Sequence, residues 1–158
     1  MDIAALAAWL EQSALGQTMR GGWAYPLANV LHLAGLVLLL GPILLLDLRL
    51  LGYGKRFPAA SVSRALTPFA VAGLLLSVPS GLALFAADAQ ALLGHRLMQL
   101  KLLAIALALG NALLFRLLFE RQLIGWDRAA PLGGRICALL SLLLWPAVMV
   151  AGRWIAYA

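Results

Sequence analysis

Four long apolar runs divide the chain, at about 27–46, 65–87, 97–119 and 136–156, with polar residues gathered in the short stretches between them. Each run reaches the roughly 20 residues that a helix needs to cross about 30 Å of hydrocarbon. None has the two-residue alternation of a strand. The pattern predicts an all-α integral membrane four-helix bundle, one transmembrane domain over 1–158. Short connections favour consecutive helices as antiparallel neighbours.

Ahead of the first run the periodicity changes. Ile3, Leu6, Ala7, Leu10 and Ala14 fall at helical spacing, and Glu11, Gln12 and Gln17 lie off that stripe. This predicts an N-terminal amphipathic helix lying in the membrane interface. Gly16 and Gly21-Gly22 are expected to end it or to bend it into the first span. Asp2 and Glu11 stand where a cleaved leader would be basic or apolar, so no signal peptide is expected here.

Composition agrees with the pattern. The 158 residues are 64% hydrophobic and 11% charged, which is too apolar to give a soluble domain of this size its polar skin. The net charge of +6 follows the membrane and not a nucleic acid. Arg49, Lys55, Arg56 and Arg64 flank the first connection; Arg116, Arg121, Arg128 and Arg135 flank the third. Arg20, Arg96 and Arg153 are the basic residues of the opposite side. In a bacterial inner membrane the positive-inside rule then puts both termini in the periplasm. Trp9, Trp23, Tyr25, Trp154 and Tyr157 would anchor that face, and Tyr53 and Trp126 the other.

Within the spans, Gly35, Gly73, Gly81 and Gly110 would allow close helix contact or dimerisation. Pro42, Pro79 and Pro146 would kink their helices. Asn111 would bond across helices, and Cys137 would pack as a small residue. Asp47 and Arg49 would form a clasp with each other or with Arg116 and Glu120.

The candidate chemistry lies near the periplasmic end. His32 is about five residues into the first span, so roughly 7–8 Å deep at the helical rise. Lys101 is about four residues into the third span, roughly 6 Å deep from the same side. A polar group that persists in hydrocarbon usually faces the protein interior or a ligand. A neutral imidazole is a common axial ligand of haem, and Lys101 and Arg96 would meet the propionates. The second axial position is open to His95, to Met98 or to neither. The single cysteine, Cys137, excludes both an internal disulfide and a CxxCH attachment, so a haem b would be held non-covalently. Two other readings stand beside this one. Met19, His32, His95 and Met98 share the periplasmic side, and imidazole with thioether suits copper(I), with His32 and His95 as metal ligands. A non-catalytic subunit would need no cofactor. Hydrolase, phosphate-loop and zinc-protease signatures are absent, and enzyme activity is left open.

The segments Trp23-Ala24-Tyr25-Pro26, Leu31-His32-Leu33-Ala34-Gly35 and Leu46-Asp47-Leu48-Arg49-Leu50-Leu51-Gly52 resemble an uncharacterised family of small bacterial inner-membrane proteins. Ser80-Gly81 through Phe85 and Lys101 through Asn111 fit the same likeness. More distantly the chain is similar to copper-resistance protein D-like domains and to J-type protoporphyrinogen oxidases. That resemblance implies His32 as a haem b ligand, with Gly35, Arg49 and Lys101 at matching positions, and a periplasmic redox partner. The oxidases tend to carry a Tyr-His pair where this chain has Asn111-Ala112, so their activity transfers less readily than haem binding.

Overall fold

In the computed structural model, residues 3–157 are described; Asp2, and the side chain of Ile3 on the expected apolar stripe, lie outside that description. Four helices are long and apolar enough to cross a membrane: α3 (Ala24–Leu50), α4 (Ala59–Ala86), α6 (Arg96–Phe119) and α7 (Leu132–Trp154). Their outward faces carry exposed Leu33, Val37, Leu75 and Leu117, a surface that hydrocarbon satisfies and water does not. Pro42, Pro68, Pro79 and Pro146 all sit inside these helices.

Two short helices precede the spans, α1 (Ile3–Gln12) and α2 (Ala14–Met19). The break falls at Ser13, not at Gly16. The Ser13 hydroxyl accepts from the Gly16 amide at 3.3 Å and so caps α2. Gly16 lies within α2, where a Cβ would come 2.8 Å from the Ala86 carbonyl oxygen. Of the expected stripe, Ala7 is buried, while Leu6 and Ala14 are exposed. Another short helix, α5 (Ala89–Gly94), joins α4 to α6 and packs against α1. Glu11 fastens that contact. It accepts from the Gln90 amide at 3.1 Å and pairs with Arg20 at 3.3 Å. The Gln90 amide, ahead of the Arg20 charge, holds the Glu11 carboxyl below its ordinary range.

The packing order across the bundle is α4–α3–α7–α6. α3 and α4 form the closest pair, because two glycines remove the side chains between them. A Cβ on Gly35 would lie 2.7 Å from the Ser77 nitrogen, and one on Gly73 would run into the backbone of Leu38 and Leu39. α6 pairs with α7, and α7 alone of that pair packs broadly on α3. The expectation that consecutive spans are neighbours therefore fails for the second and third: α4 and α6 are joined by α5 but do not pack along their lengths. Gly110 makes no close contact within the chain, since nothing stands within 4 Å of a Cβ placed there.

Substitution of the two glycines should separate these two cases. Gly73→Leu must push backbone against backbone and is expected to cost about 1–3 kcal/mol in a detergent unfolding titration. Gly110→Ala meets open space and should be neutral, or stabilising by up to about 1 kcal/mol through helix propensity. Equal effects at the two sites would refute the close α3–α4 contact.

The end of the bundle opposite the chain's first residues is tied by side chains from the long connections. Arg49, 5% exposed, donates from Nε to the Phe57 carbonyl at 2.6 Å and pairs through Nη2 with Asp127. The other Asp127 oxygen accepts from the Ala59 amide at 3.2 Å, capping α4. Trp126 donates to the Leu50 carbonyl at 3.0 Å and packs on Phe115 with ring centroids 5.8 Å apart. A Cβ on Gly134 would collide with the Trp126 ring. The clasp expected between Asp47 and Arg49, or from them to Glu120 and Arg116, does not form: the anion of Arg49 is Asp127, and Arg116 pairs with Glu120 at the C-cap of its own helix.

Candidate functional site

Ala28, His32, Gly35 and Leu39 recur at helical spacing and form the stripe of α3 that meets α4. His32 therefore points at α4 and not at lipid. Its Nδ1 lies 2.9 Å from the Ser77 carbonyl oxygen and 3.3 Å from the Ser80 hydroxyl. A carbonyl only accepts, so Nδ1 carries the proton and Nε2 holds the lone pair of the neutral ring. Ser80 donates its own proton to the Leu76 carbonyl at 2.6 Å and is free to accept from Nδ1. Gly81 makes room for the ring, since a Cβ there would lie 2.9 Å from Cε1 of His32. Nε2 has no hydrogen-bond partner among the described residues and is not sealed from its surroundings. This is the arrangement by which proteins orient an imidazole that binds a metal through its other nitrogen.

Lys101 lies in the same half of the bundle, half-buried on α6 and laid against Gly152 of α7, with Nζ 3.3 Å from where a Cβ would stand. Among the described residues no carboxylate or carbonyl pairs with its ammonium.

The remaining predicted residues, His95, Arg96 and Met98, stand at the start of α6. His95 is at once the last cap of α5 and the first of α6, and its buried Nδ1 has no partner. Arg96 is exposed, and Met98 is buried in the packing. Among the described residues, no three His, Cys, Asp or Glu side chains come together as a metal cage. What the fold offers at His32 is one oriented imidazole and one unpaired ammonium.

Residues 6–158 match the model of a family of unknown function (DUF6644). The chain belongs to that family. No curated protein and no solved structure shows significant similarity to it. The family match runs across all four spans of this DUF6644 chain and includes His32, Asp47 and Lys101.

Two features of the DUF6644 chain were beyond sequence reasoning. The backbone carbonyl that orients His32 leaves no trace in residue type; only the spacing of Ser77, Ser80 and Gly81 on one face of α4 hints at it. Asp47 was expected to find a basic partner, yet Arg49 turns to Asp127 and Arg116 pairs with Glu120 at 3.6 Å. Asp47 instead meets Ser141 of α7, and its Oδ2 atom is buried without a partner. Asn111 does bond across helices, donating to the Cys137 carbonyl at 2.9 Å.

Proposed function

We propose that this protein holds a haem b in the half of the bundle that contains His32 and exchanges electrons at the periplasmic face of a bacterial inner membrane. The observation that carries the reading is the His32–Ser77 hydrogen bond, which fixes the protonated nitrogen and leaves Nε2 free. His32 would supply an axial ligand. Lys101, half-buried and unpaired in the same half of the bundle, would neutralise a propionate. Gly81 keeps the ring's flank open. A bound haem supplies one-electron exchange; the chain supplies orientation, charge and exclusion of water. The distant likeness of His32, Gly35, Arg49 and Lys101 to positions in J-type protoporphyrinogen oxidases supports the same assignment.

An absorption spectrum and an elemental analysis of one purified preparation test it. Protein from haem-supplied cells should show a Soret band and iron near one atom per chain. Colourless, iron-free protein would overturn the reading, and copper in its place would favour the copper alternative built on the same imidazole.

Lys101→Met should leave the bundle folded, because the ammonium supports no contact within it. A charge-assisted contact to a propionate is worth about 1.5–3 kcal/mol, so haem affinity should fall by roughly 10- to 150-fold. Lys101→Arg should be milder. Unchanged affinity and unchanged redox potential in Lys101→Met would exclude the lysine as a propionate partner.

A further inference from the structure

A second feature lies in the other half of the bundle. Because α4 and α6 do not pack together, the four spans leave a cavity of about 270 Å³ between them. Its wall is mostly apolar, with Leu39, Ile43, Leu74 and Leu109 from three helices. Two of the residues that line it each hold a buried polar atom with no partner. One is Oδ2 of Asp47, a residue only 6% exposed; the other is Nε1 of Trp145, only 3% exposed. The first accepts hydrogen bonds and the second donates one.

We propose that this cavity binds a small lipophilic aromatic amine, with the ammonium on Asp47 and the aromatic face beside the Trp145 indole N–H. A carboxylate buried without a cation is costly. The fold withholds the available cations from it, since Arg49 is occupied by Asp127 and Phe57, and Arg116 by Glu120. A ligand ammonium is the partner that would let Asp47 ionise inside the bundle. Size limits the rest of the ligand. A cavity of about 150 Å³ takes up benzene, so one nearly twice as large suits a bicyclic body. Access is lateral. Ser63, Thr67 and the Arg116–Glu120 pair line both the cavity and a shallower groove between α4 and α6, so a ligand dissolved in the bilayer can enter between those helices. The site is independent of haem, lying in the opposite half of the bundle from His32.

The probes are 1-naphthylmethylamine and its neutral counterpart 1-naphthylmethanol, measured by fluorescence on the full chain in detergent. The amine should bind at least tenfold more tightly than the alcohol. Asp47→Asn keeps the shape and the contact with Ser141, and it should weaken the amine by about 10- to 100-fold while leaving the alcohol unchanged. Ala70→Phe, which fills the cavity and keeps the charge, should abolish binding of both, and a thermal melt of each variant confirms that it is folded. Equal binding of amine and alcohol, or amine binding indifferent to Asp47→Asn, would overturn the proposal in favour of a merely apolar cavity. Failure of the wild-type chain to bind the amine at millimolar concentration would overturn it as well.

Discussion

His32→Ala is expected to remove the Soret band completely while leaving a folded protein. The two parts of that expectation rest on different contacts. Haem retention in the proposed site depends on Nε2 of His32, the ring nitrogen that the hydrogen bond to Ser77 leaves free. Folding depends little on the ring. Its hydrogen bond to the Ser77 carbonyl contributes about 0.5–1.5 kcal/mol net, and the α3–α4 contact is carried by Gly35 and Gly73. The space left beside Gly81 is the size of the lost ring, so added imidazole should restore part of the absorption. A His32→Ala protein with full haem occupancy would sink the assignment, whatever its stability.

The largest loss of stability should come from Asp127→Ala. That change strands the Arg49 guanidinium in a buried position and frees the Ala59 amide at the start of α4. Removing one partner of a buried pair costs about 3–5 kcal/mol. Asp127 is itself 39% exposed, so water reaches the pair and the lower end of that range applies. The remedy distinguishes the cause. Arg49→Met in the same chain removes the stranded charge and should recover most of the loss, leaving the missing helix cap at about 0.5–2 kcal/mol. Detergent unfolding curves of the single and double variants measure this directly; a double variant as unstable as Asp127→Ala would show that the charge was not the cause.

The four spans were legible because twenty apolar residues in a row need no partner to be read. Their ends were less so. α4 begins at Ala59 and not near Ala65, because Ser61, Ser63 and Arg64 are polar yet helical, and hydropathy registers only the part that lies in hydrocarbon. Gly35 and Gly73 stand at close contacts and Gly110 has none within the chain, since residue type reveals what a position permits but not what faces it. Arg49 shows the same limit. Its partner lies 78 residues further along in a connection, and nothing local favours Asp127 over the nearer Asp47. At His32 the depth and the residue type could be read, but the acceptor that sets its tautomer is a backbone atom. The neighbours of α4 were misjudged for a geometric reason: a short linker fixes where two helix ends lie, not whether their flanks touch.

That packing order also sets the sequence of events as the chain is made. α3 and α4 emerge first, and they already contain both halves of their own interface. α6 follows with no long flank to dock on, and it stays unattached along its length until α7, the last of the four spans, is complete. α7 is the helix that touches both α3 and α6, so it alone joins the early pair to the late one. Asp127, just ahead of it in the chain, reaches Arg49 only then. Until α7 docks, Arg49 lacks that ion pair, and the docking of α7 is what joins the α3–α4 pair to α6.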